Sequence, residues 1–159
     1  SGSYEADVSA SLGGGVALDL RHTAGAVWAL SDRGMTISDH DGNTVSVDWQ
    51  NQYLRRYTLS GDGFAAVLLG KYRAGSQAEL WVVDQDGTRR SLALSEQVMS
   101  ISTAGRYVAV LTGDRLDIYT QELELYSSLK GTKGARTVLL VPDGSAILIS
   151  AEGAGFYIP

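Results

Sequence analysis

"STAGRYVAVLTGDRLDIYT", residues 102–120, runs through a small-residue turn, an apolar stretch, a second turn and a second apolar stretch. The same grammar recurs around three other glycines. Aligned on the glycine before the main apolar run, "RHTAGAVWAL" (21–30), "LSGDGFAAVLL" (59–69), "ISTAGRYVAVL" (101–111) and "LVPDGSAILIS" (140–150) set Gly25, Gly63, Gly105 and Gly144 at intervals of 38, 42 and 39 residues. Consecutive apolar positions in each run suit a strand covered on both faces.

Each run has strand-like neighbours. Before it stand "VALDLR" (16–21), "LRRYTL" (54–59), "QVMSIS" (97–102) and "RTVLLV" (136–141). After it come "MTIS" (35–38), "ELWVV" (79–83), "RLDIY" (115–119) and "GFYI" (155–158). A fourth strand, "TVSVDW" (44–49), "TRRSLAL" (88–94) or "LELYSSL" (123–129), closes the first three units. Four strands per roughly 40 residues is the period of a β-propeller blade. "DHDGNT" (39–44) and "DQDGTR" (84–89) put Asp-Gly between third and fourth strands, a hairpin signal because both residues tolerate left-handed backbone angles. The third unit has "TQELEL" (120–125) there instead. The best helical candidate, "QELELYSSLK" (121–130), starts with a period of two and reads as strand.

The expected fold is therefore an all-β propeller, one domain over 1–159, with blade units near 16–49, 52–94, 97–129 and 136–159. The last unit stops after its third strand, and "YEADVS" (4–9) offers a surplus strand to complete it, as propellers do to avoid an unpaired edge. Two arrangements satisfy this count: a closed four-blade ring, or half of a larger ring, such as an eight-blade homodimer or a longer propeller.

Composition narrows the partners. The formal charge of -5, from 13 Lys and Arg against 18 Asp and Glu, repels phosphate backbones, so nucleic acid is not expected. The doublets Arg55-Arg56 and Arg89-Arg90 read as solvated surface charge. With no cysteine, disulfides, zinc-thiolate sites and cysteine nucleophiles drop out together. No apolar stretch is long enough to span a bilayer as a helix, and membrane contact is expected only through an anchor outside these residues.

The search for chemistry finds turns. Asp39 with Asp41, and Asp84 with Asp86, begin like calcium loops, but the twelfth positions are Gln50 and Ser95 in place of glutamate, so capped hairpins are expected. His22 and His40 lack zinc spacing, and no G-x-S-x-G elbow exists. "LGGGVALDL" (12–20) lacks the order of a phosphate loop and reads as a connection between blades. Trp28 and Tyr107 read as packing residues. No catalytic residue, metal ligand or cofactor is assigned.

What remains is geometry, because loops on a rigid scaffold carry function. Loops joining second to third strands, and blades to each other, share one face. The longest, "GKYRAGSQA" (70–78), presents Lys71, Tyr72 and Arg73. Asp32, Arg33, Gln52, Tyr53, Asp114 and Arg115 are expected nearby as candidate ligand-binding residues.

"VPDGSAILIS" resembles the Pro-Asp-Gly turn and apolar strand of bacterial propeller repeats of the WD40-like and quinoprotein-like kinds, and "SGDGFAAVLL" is similar with glycine for proline. The Trp-Asp dipeptide of true WD40 blades and a quinoprotein-type docking tryptophan in each blade are missing. The chain is also similar to propeller domains of membrane-anchored proteins of Gram-positive bacteria, which implies a place outside the cytoplasm. The favoured reading is a non-catalytic module that docks a protein or a cell-envelope polymer. A carbohydrate-active hydrolase or lyase with carboxylates converging on the channel, and a self-associating spacer, stay open beside it.

Overall fold

The structure, a computed structural model, describes residues 15–159. Every described element is a strand, and no helix long and apolar enough to cross a membrane occurs among them. Four antiparallel meanders follow one another. The first comprises β1 (Ala17–Thr23), β2 (Ala26–Ser31), β3 (Gly34–Asp39) and β4 (Thr44–Asp48). The second comprises β5 (Tyr53–Thr58), β6 (Phe64–Gly70), β7 (Ala78–Asp84) and β8 (Arg89–Leu94). The third comprises β9 (Ser100–Ala104), β10 (Tyr107–Leu111), β11 (Arg115–Thr120) and β12 (Leu125–Lys130). The last has three strands, β13 (Ala135–Leu140), β14 (Ala146–Ser150) and β15 (Gly153–Tyr157).

The sheets pack face to face in chain order, and each seam is an apolar cluster. Trp28, Leu30 and Ile37 of the first sheet meet Val67, Leu69 and Trp81 of the second. Phe64, Leu68 and Val82 on the opposite face of the second meet Val108 and Val110 of the third. Ala109, Leu111 and Ile118 meet Val138, Leu140 and Ala146 of the last. A middle strand between two neighbours must be apolar on both sides, which is why every residue of β6 and β10 is buried. Trp28 and Tyr107 are such packing residues.

The turns agree with their sequence. Asp39 accepts from the Asp41 and Asn43 amides at 2.9 Å and from the Asn43 side chain at 3.0 Å, with Gly42 at φ 85°. Its carboxylate is spent on the hairpin. Asp86 accepts from the Thr88 amide, with Gly87 at φ 86°. The third hairpin has the same shape without glycine: Leu123 takes φ 60°, and the Thr120 hydroxyl receives the Glu122 and Glu124 amides. Residues 125–130 are strand, as their period of two implies.

Two expectations change. The stretch 12–20 is not a connection throughout, since strand β1 begins at Ala17. The basic doublets are not simply solvated. Arg55 grips a neighbouring loop, Arg90 pairs with Asp84 at 2.9 Å and Glu122 at 2.6 Å, and Arg89 lies 4.0 Å over the Trp81 ring. Strand alternation sends Arg89 and Arg90 to opposite faces of their sheet, one toward Trp81 and the other toward Glu122 of the third sheet. The surplus strand at 4–9 lies outside the described residues.

Candidate functional site

The loops between second and third strands and the loops between sheets gather at one edge. There, between the first two sheets, lies a cleft of about 1140 Å³. Asp32, Arg33, Gln52, Tyr53 and Arg73 all line it, together with Asp48 and Arg55.

Its floor is built locally. The buried Ser31 hydroxyl accepts from the Arg33 and Gly34 amides, both at 3.1 Å, and so shapes the turn that presents Asp32 and Arg33. Trp49 is wholly buried beneath. Its indole N–H donates to the Ser31 carbonyl at 3.0 Å, its amide to the Arg33 carbonyl at 2.9 Å, and its ring meets Trp81 edge-on at 6.0 Å. One indole thus ties the turn, the connection between sheets and the second sheet together. Asp48 accepts from the Gln50 amide at 2.5 Å, and Gln50 and Asn51 follow at φ 57° and 61°, reversing the chain toward Gln52 and Tyr53. Asp32 accepts from the Val16 amide at 2.7 Å, which moors the entry to the first sheet.

The wall is the 71–77 loop, and Arg55 holds it. The pairing of β5 with β6 shifts between Leu54 and Arg56, so Arg55 sits on a bulge, a feature that re-aims a side chain. Its guanidinium donates to four carbonyls: Tyr72 at 2.8 Å, Gln77 at 2.9 Å, Gly75 at 3.1 Å and Ala74 at 3.3 Å. Gly70 makes room, because a Cβ there would stand 2.2 Å from Arg55 Cζ. The loop held in this way sets Arg73 over the Tyr53 ring, 5.1 Å from its centre. Three arginines, two aspartates and an exposed tyrosine therefore share one opening in a chain of net negative charge.

Other expected site residues stand elsewhere. Lys71 and Tyr72 are on the same loop, stacked on each other at 5.7 Å, outside the cleft lining. Asp114 lies two seams away, between the third and fourth sheets, where its carbonyl accepts from the Gly131 and Thr132 amides. Arg115 is occupied by Asp117 at 2.8 Å and Glu96 at 3.1 Å; the Asp117 hydrogen bond and charge raise its pKa further. Asp48, Trp49 and Arg55 were not singled out from sequence. No local sequence signal marks Arg55, because the groups that it binds, the carbonyls of Tyr72, Ala74, Gly75 and Gln77, are backbone atoms that every loop carries. Among the described residues, no group of three or more His, Asp or Glu is placed to hold a metal.

No protein-family model matches this chain, and no curated protein does. Solved structures do. BBS1N, solved with ARL6DN, aligns over 87% of this chain and 49% of its own at a TM-score of 0.58 and 15% identity. Hsv2 of Kluyveromyces marxianus aligns over 88% and 46% at 0.62 and 12% identity. The computationally designed Ika4 protein aligns over 99% and 100% at 0.65 and 12% identity. Identities this low establish the fold alone. The four sheets form a partial β-propeller, spanning about half the length of BBS1N and Hsv2.

Proposed function

We propose that this partial propeller is a non-catalytic interaction module that docks another protein in the cleft between its first two sheets. The observation that carries the reading is the Tyr53–Arg73 stack at the mouth, buttressed by Arg55. Tyrosine and arginine are the side chains that most often dominate binding energy at protein interfaces. The two cleft carboxylates each give an oxygen to a backbone amide, Asp32 to Val16 and Asp48 to Gln50, which suits scaffolding better than proton transfer. BBS1N was solved with a protein partner, which agrees with this use of the fold. A cell-envelope polymer is the alternative occupant. The resemblance to anchored Gram-positive propeller domains supports a place outside the cytoplasm for the full-length protein, checked by locating it in cell fractions.

Proximity cross-linking from a photoreactive residue at Gln52 tests the site. A protein adduct is expected. Tyr53→Ala with Arg73→Ala should abolish the adduct while leaving the far-ultraviolet circular dichroism unchanged. An adduct that survives the double variant, or turnover of a glycan by the purified chain, would overturn the reading.

A further inference from the structure

We propose that two copies of this chain join end to end into one eight-blade ring, the last sheet of each copy seated on the first sheet of the other. The chain's own interior carries the argument. The blades alternate in kind. In the first and third, Thr-Ala-Gly enters a two-residue hairpin, Ala24-Gly25 between Thr23 and Ala26 and, one register step on, Gly105-Arg106 between Ala104 and Tyr107. In the second and fourth, Asp-Gly closes a longer turn, with Thr58 paired to Ala66 and Leu140 to Ala146. The molecule is a pair of unlike blades, repeated.

One seam inside the chain, between the second and third sheets, joins an Asp-Gly blade to a following Thr-Ala-Gly blade. The Thr58 and Thr103 hydroxyls meet across it at 2.7 Å, and the Asp62 amide donates to the Gly105 carbonyl at 2.8 Å. Ala66, Leu68 and Val82 on one side and Val108 and Val110 on the other are at most 3% exposed.

The two ends of the chain are the separated halves of that same seam. Register places Leu139, Ile149 and Phe156 where the second sheet has Thr58, Leu68 and Val82, and they are 48%, 36% and 62% exposed. Register likewise places Leu20 and His22 where the third sheet has Ile101 and Thr103, and Leu20 is 67% exposed. Among the described residues, the apolar clusters join first to second, second to third and third to fourth sheets, and none joins fourth to first.

The last sheet therefore needs a Thr-Ala-Gly blade beyond it, and the first sheet needs an Asp-Gly blade before it. A second copy supplies both at once, and a two-fold axis makes the two new seams identical and closes the ring.

Light scattering on the purified chain tests the proposal. A mass of about 34 kDa, twice the 16.9 kDa of one chain, is expected; a mass near one chain, or one above two, overturns it. The seam itself is tested by His22→Cys with Leu139→Cys. These positions correspond to the touching Thr103 and Thr58, and the chain has no other cysteine. Oxidation should give a disulfide-linked dimer, because the expected separation suits a bridge. A bridge within one chain indicates a closed four-blade ring and overturns the proposal, as does failure to cross-link. Phe156→Arg should leave the circular dichroism unchanged and abolish the dimer; a Phe156→Arg protein that stays dimeric counts against the seam.

Discussion

Arg55 donates its Nε–H to the Tyr72 carbonyl at 2.8 Å, from a bulge in one strand to a loop seventeen residues further on. This contact and its three companions convert an exposed loop into a wall of the cleft. Arg55→Ala should free residues 71–77 and cost about 1–2 kcal/mol, since the hydrogen bonds are charge-assisted yet open to water. Faster amide exchange confined to 71–77 is the expected readout.

Gly70→Ala should reproduce that effect without touching the arginine. Its Cβ would stand 2.2 Å from Arg55 Cζ, and the guanidinium would have to leave. Combining Gly70→Ala with Arg55→Ala should cost little more than either alone, because both remove one interaction. Full additivity in urea denaturation would mean that the two residues act separately.

Trp49→Ala should be the most damaging single change at the site, costing about 3–5 kcal/mol through the cavity it leaves. The residue is wholly buried, packs on Trp81 and donates to the Ser31 carbonyl. Trp49→Phe keeps most of the volume but leaves that carbonyl without the indole donor, so a loss of about 1–3 kcal/mol is expected. Chemical denaturation followed by circular dichroism measures both.

Acid should loosen the hairpin and inter-strand turns first. Hydrogen bonds from Asn43, Thr88 and Ser145 hold Asp39, Asp86 and Asp143 below the ordinary aspartate value of 3.8. A carboxyl depressed in the folded state stabilises fully above its unfolded pKa, and that contribution is lost as pH falls through the folded value. Stability should therefore be flat above this range and drop below pH 3.8. In the triple Asp→Asn variant the drop should be shallower, as read from denaturation midpoints across pH.

Local sequence was enough for the blades. The strand period, the Asp-Gly hairpins and the spacing of Gly25, Gly63, Gly105 and Gly144 depend on residues near one another in the chain. Such signals are complete before any sheet packs. Even the third hairpin fits, since Leu123 accepts the left-handed angle that Gly42 and Gly87 take elsewhere. The loop face was legible too, because Asp32, Arg33, Gln52 and Arg73 are turn or connection residues and Tyr53 opens β5, all placed by strand order.

Tertiary structure alone decided which of those side chains share an opening. Arg115 and Arg55 look alike as strand arginines, yet one is consumed by Asp117 and Glu96 while the other buckles a loop. A bulge turns Arg55 toward that loop, and a bulge is a property of two paired strands, invisible in either alone. The full burial of β6 against the partial burial of β14 has the same origin: both strands are apolar, and only packing between sheets determines which has a neighbour on each side.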